Sequence, residues 1–132
     1  MDKAQALQTF WESFGIPAYE QTTVPEYITV DGVQVPVTMP YITYSVSMDS
    51  LDNVINMSAS LWYHSTSWKD ISEKTEQIAR YIVSMNPPSI KFDGGRLYIT
   101  KGTPFAQRMS DPDDNMIRRM YLNIQAEYLS AY

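Results

Sequence analysis

The chain has no cysteine, which excludes disulfides and thiolate metal sites. Its single histidine, His64, excludes a multi-histidine metal centre within one copy. No run approaches the ~20 apolar residues of a membrane-spanning helix. The opening MDKAQALQTFWESFG lacks the basic start and long apolar stretch of a signal peptide. These absences predict a protein made and kept soluble in a cytoplasm, with no membrane partner. Positive charge is in short supply: 10 Lys and Arg against 15 Asp and Glu leave a net charge of −5. That is the opposite of the basic face expected of a nucleic-acid binder. Internal repeats and low-complexity tracts are absent as well.

What is present suits one globular domain over residues 1–132, with 44% hydrophobic and 19% charged residues. Ten Tyr and eight Met stand out. Tyr pairs an apolar body with a polar tip, and Met adapts to irregular surfaces, so both serve contact surfaces as well as cores.

The strongest periodicity runs from Ser67 to Met85. Trp68, Ile71, Thr75, Ile78, Ile82 and Met85 recur at gaps of three and four, one face of an α-helix. Lys69, Glu73, Lys74, Glu76, Gln77 and Arg80 take the opposite face. Ser67 is the expected N-cap, Asp70 opposes the positive end of the helix dipole, and Pro87 and Pro88 form the stop. A first helix is expected over Asp2–Phe14, capped by Asp2 with Gln5 as its capping-box partner and ended by Gly15 and Pro17. Ala4, Leu7, Phe10, Trp11 and Phe14 make its apolar stripe.

The remainder reads as sheet. Ala18–Val24 is expected to be irregular. Tyr27–Val37 holds two β-rich runs about Asp31-Gly32, the strongest short hairpin signal. Pro36 confines the second arm to an edge or a projection. The hairpin is apolar on more than one face. It reads either as an arm onto a neighbouring subunit or as packing within its own fold. Tyr41–Met48 alternates as a half-buried strand. A turn is expected over Asp49–Asn53, and Val54–His64 then returns as an antiparallel neighbour. Ile90–Phe92 and Arg96–Lys101 flank Asp93-Gly94-Gly95 as a second hairpin. Gly102–Asn115 is expected to be a long loop of the kind that carries function. Asn115–Leu129 reads as a long central strand. The expected fold is α+β: an antiparallel or mixed sheet with two helices packed on it, plus a projecting β-hairpin.

Candidate chemistry is sparse. His64 beside Ser65, Thr66 and Ser67 lacks a nucleophile elbow and reads as a sheet-edge histidine next to a helix cap. Asp111, Asp113 and Asn115 start like a calcium loop, but Met116 stands where glycine is needed and Leu122 where glutamate is needed. Asp93-Gly94-Gly95 has turn spacing, not phosphate-loop spacing. Asn56-Met57-Ser58 is a glycosylation sequon that has no role without secretion. Arg118 and Arg119 beside Tyr121 read as a salt bridge or a subunit contact. No catalytic, metal or cofactor-binding residue is assigned.

The pieces PYITYSV, SASLWYHSTSWKDISEKTEQIARYI, GGRLYITKGTPFAQRM and IRRMYLNIQAEYL span most of positions 40 to 129. In this order they resemble the tail-terminator or tail-completion proteins of long-tailed bacteriophages. The resemblance implies a non-enzymatic virion protein of the tail or neck, assembled in the host bacterial cytoplasm. Copies would form a ring, usually a hexamer, at the head-proximal end of the tail tube. The ring would end tube polymerisation and join the tail to the head connector or stopper protein. DNA would pass through its lumen without specific binding, which an acidic chain allows. A heterologous ring needs two different contact surfaces on each subunit. The expected contact residues are Tyr27, Ile28, Val30, Val33, Val35 and Val37 in the hairpin, with Phe105, Gln107, Arg108 and Met109 in the loop. A head-side connector or stopper of the same particle is the alternative, and a host enzyme with an unrecognised site is a more distant one.

Overall fold

The computed structural model describes residues 1–21, 23–46, 54–85 and 88–130. Asp2 opens α1 (Lys3–Glu12) by the expected reciprocal cap. Its carboxylate accepts from the Gln5 amide at 2.8 Å, and the Gln5 side chain accepts from the Asp2 amide at 2.9 Å. Gly15 turns the chain past the helix with φ 84°, a conformation costly for any residue with a Cβ. Leu7, Phe10, Trp11 and Phe14 are buried, and Ala6 joins them. Phe10 meets Trp11 and Phe14 edge-on, with centroids 4.8 and 5.3 Å away.

Ala18–Val24 is not wholly irregular, because Ala18–Glu20 forms a short strand, β1, parallel to β4 (Tyr41–Tyr44). Three residues are too few to show alternation in a sequence; the partner strand makes this one. Between them β2 (Tyr27–Val30) and β3 (Val33–Pro36) form a separate two-stranded antiparallel sheet. Its turn residues, Asp31 at φ 51° and Gly32 at φ 80°, both take the left-handed conformation of a tight hairpin. Strand β4 is shorter than the alternation of Tyr41–Met48 predicts. Ile42 and Tyr44 point into the core as expected, whereas Met48 and the turn expected over Asp49–Asn53 lie outside the described residues. Strand β5 (Val54–His64) has the expected bounds and pairs antiparallel with β4.

Helix α2 (Lys69–Met85) buries Ile71, Thr75, Ile78 and Ile82. Two expectations shift. The first helical bond goes from the Ser72 amide to the Trp68 carbonyl at 3.0 Å, so the cap falls on Trp68. Ser67 still serves the helix start, its hydroxyl accepting from the Lys69 amide at 3.0 Å. Met85 is 54% exposed, because the last turn, with Val83 also exposed, runs beyond the core. Pro88 is buried, while Asn86 and Pro87 lie outside the described residues.

The largest correction concerns Gly102–Asn115. Strand β7 (Gly95–Ser110) follows β6 (Ser89–Phe92) through a turn with Gly94 at φ 94° and continues well past Lys101. Only 111–116 then separates β7 from β8 (Ile117–Ser130). The register slips between Lys101 and Ala106, after which Ala106 faces Leu122. This bulge absorbs Gly102 and Pro104, the two residues that mark a loop in sequence. Gly102 is held there by space: a Cβ would stand 2.9 Å from the Asn123 Cβ.

The main sheet has the order β1-β4-β5-β8-β7-β6, with β8 in the centre. Its buried side chains and both helices form one cluster, completing an α+β fold. Helix α1 packs on β1 and also on β6 and β7. Since β1 and β6 are opposite edges, the sheet curls and α1 spans the gap. The Gln8 side-chain amide donates to the Ala18 carbonyl at 2.8 Å on one side, and the Asp93 backbone amide donates to the Met1 carbonyl at 2.7 Å on the other. Among the described residues no helix is long and apolar enough to cross a membrane.

Candidate assembly surfaces

The β2–β3 hairpin leaves the fold between β1 and β4, at one end of the sheet order. Beyond its own pairing, neither strand packs extensively on another element. A further bond, from the Val37 amide to the Glu26 carbonyl at 3.0 Å, extends the ladder at its base. Tyr27, Val30 and Val33 are 50%, 47% and 61% exposed. Ile28, Val35 and Val37 are half-buried. The arm is therefore tightly turned, paired internally, and exposes apolar side chains.

Phe105, Gln107, Arg108 and Met109 lie in β7, not in a loop, and on the opposite side of the sheet order from the hairpin. The structure does not bring the two groups of expected contact residues together within one copy. Phe105 packs against the core, whereas Gln107, Arg108 and Met109 are exposed. Strand β6 covers only Gly95–Tyr98 of β7, and the Ile99 amide reaches the Pro88 carbonyl at 3.2 Å. From Thr100 to Ser110, β7 pairs with β8 on one side and, among the described residues, with no strand on the other.

A third surface was not legible as a surface in the sequence. Both helices pack on one face of the sheet, and the alternate residues of the central strands form the other. There the Trp62 indole donates to the Thr43 hydroxyl at 2.8 Å. The Arg119 guanidinium lies 4.7 Å from the Trp62 ring centroid and 5.9 Å from that of Tyr121, and its Nε donates to the Ser60 hydroxyl at 3.0 Å. Tyr19 and Tyr41 meet edge-on at 6.0 Å. Burial, with Tyr19 beside it, raises the Tyr41 phenol above its ordinary value. Strand alternation puts these residues on one face, but only the cross-strand register sets them side by side.

Arg118 takes the core-facing parity and stacks on Trp68 at 5.3 Å, where Arg108 also lies at 4.8 Å. It donates to the Asn115 and Thr66 carbonyls at 2.7 and 3.1 Å. Of the salt bridge or subunit contact expected for Arg118 and Arg119, the salt bridge is not formed: among the described residues neither pairs with a carboxylate, and aromatic contacts with carbonyl (Arg118) or hydroxyl (Arg119) partners stand in its place.

His64 has its Nε2 3.1 Å from an oxygen of Asp114. The Ser65 hydroxyl is occupied in accepting from the Ser67 amide at 3.1 Å. A Met116 amide donating to Asp114, followed by the contact with His64, holds that carboxyl below its ordinary value. The pair pins the 111–116 turn to the end of β5. Asp111 likewise caps its own turn, accepting from the Asp113 amide at 2.8 Å. Among the described residues no three metal-binding side chains cluster. No protein-family model matches the chain, and neither a curated protein nor a solved structure does.

Proposed function

We propose that this chain is a structural subunit of a long-tailed bacteriophage tail. Its copies form a ring at the head-proximal end of the tail tube, end the tube's polymerisation, and offer the surface to which the head connector binds. The family it resembles in sequence supplies the identity of the particle and the usual ring of six. The observation that carries the assembly half of this reading is the presence of two unlike surfaces on one protomer. One is an apolar hairpin that forms its own two-stranded sheet, and the other is a strand of the main sheet with an open side among the described residues. Two unlike surfaces that bind each other make head-to-tail contacts, and such contacts generate rings when the rotation closes. The tube subunit and the head connector are the other partners, and DNA passes through the lumen.

The test is to replace Val33 and Val35 together by Asp. Neither side chain belongs to the core cluster, so the variant is expected to fold. It should remain a monomer in light scattering while the parent chain forms rings. In a tube-growth assay the parent should stop polymerisation and the variant should not. Rings formed by the variant would remove the hairpin from the interface. A parent chain that is monomeric at every concentration, alone and with tube subunits, would overturn the proposal.

A further inference from the structure

Which surfaces meet in such a ring can be read from the backbone and the charges. Strand β2 (Tyr27–Val30) pairs with β3 on one side only. Its residues contain no proline, whereas β3 ends in Pro36. Among the described residues, strand β7 is open on one side from Thr100 to Ser110. Each open side carries backbone donors and acceptors that another strand can satisfy. Charge then distinguishes the two. The sequence holds no lysine or arginine between Lys3 and Lys69, so the hairpin region, with Glu26 and Asp31, is purely acidic. Strand β7 is the converse: it has Arg96, Lys101 and Arg108 and no Asp or Glu. Like-charged arms repel one another, as do like-charged β7 strands, so self-pairing of either is disfavoured and acidic-to-basic pairing is favoured.

We infer that β2 of one copy adds to the open side of β7, at Phe105–Ser110, in the next copy, extending that copy's six-stranded sheet by the two strands of the arm. The occupant is a second copy of this chain. The two edges belong to different sheets of the protomer and are unlike, so the addition is head-to-tail and each copy both gives and receives an arm. Val30, Val33 and Tyr27 would then pass from water to the neighbour's surface near Phe105 and Met109. This inference rests on the ring reading and specifies its contact.

The experiment uses the whole chain. Hydrogen exchange read by mass spectrometry is compared between dilute and assembled protein. Amides of Tyr27–Val30 and Phe105–Ser110 should slow together by about tenfold or more on assembly. Reversing the arm (Glu26→Lys with Asp31→Lys) should abolish assembly, as should reversing the strand (Lys101→Glu with Arg108→Glu). The chain carrying all four changes should assemble again. An assembled parent in which these two segments exchange as fast as in the monomer overturns the strand addition and leaves the ring standing. Assembly that survives either reversal does the same. A parent that never assembles overturns the ring and the addition with it. The exchange measurement needs no variant, so a reversal that misfolds does not block the test.

Discussion

Two buried tyrosines show how much a single hydroxyl depends on its surroundings. Tyr128 is 1% exposed, and its hydroxyl finds no hydrogen-bond partner among the described residues. Tyr44 is 3% exposed, but its hydroxyl donates to the Gln8 side chain, which ties β4 to α1. Tyr128→Phe removes an unsatisfied polar group and should stabilise the fold by about 1 kcal/mol, whereas Tyr44→Phe leaves Gln8 short of a donor and should cost about 1 kcal/mol. Urea midpoints of the two variants check both signs. Burial pushes each phenol up to about 12; for Tyr44 the nearby Glu20 and then Glu12 add to it. The unfolded value is about 10, so the folded state holds these protons more tightly. Their contribution to stability is intact below about pH 10 and is lost as pH rises from there through about 12. The urea midpoint should fall across that window, and phenolate absorbance should show Tyr44 and Tyr128 among the late-titrating tyrosines, beside the raised Tyr41 and Tyr63. Sequence discloses the Asp2–Gln5 cap and the Asp31-Gly32 turn because the partners are a few residues apart. It cannot disclose that one buried tyrosine is satisfied and the other is not.

The β7–β8 hairpin is where local signals mislead. Gly102 and Pro104 are breakers in isolation, and Phe105 beside Ala106 spoils strict alternation, so the segment reads as a loop. Pairing with the long β8 overrides this by placing both breakers in a bulge. Gly102→Ala tests that account. The added methyl meets the Asn123 Cβ at 2.9 Å and its carbonyl oxygen at 3.0 Å. Over-packing of this kind should cost about 1–3 kcal/mol, seen as a lower melting temperature. If the segment were a loop, the same change would be nearly silent. Strand β5 and α2 were legible because their periods are long and clean. Strand β1 was not, since three residues carry no period and only Ile42–Tyr44 gives them a partner.

At the scale of the whole molecule the core and the hairpin are separate. The core lies between the curled sheet and the two helices, and the hairpin shares none of it. Val33 is exposed and Val35 half-buried, both outside the core cluster, so changing them should cost the monomer no more than about 1 kcal/mol, read from its thermal transition, while on the ring proposal it abolishes higher-order species. An apolar hairpin with a Pro-bearing arm was visible in sequence as a projection. The open side of β7 was not, because it depends on how far β6 reaches along its neighbour.

Chain order adds a constraint of timing. Strand β8 sits in the middle of the sheet, yet it follows every other described strand along the polypeptide. A ribosome must release β4, β5 and the β6–β7 pair before the strand that joins them emerges. Until then the segment from Thr100 to Ser110 has no strand beside it among the described residues, so the edge proposed to receive an arm would not yet exist. On the proposed strand addition, nascent copies crowded together on one message would have nowhere to insert their arms, and interlocking would wait for completed translation.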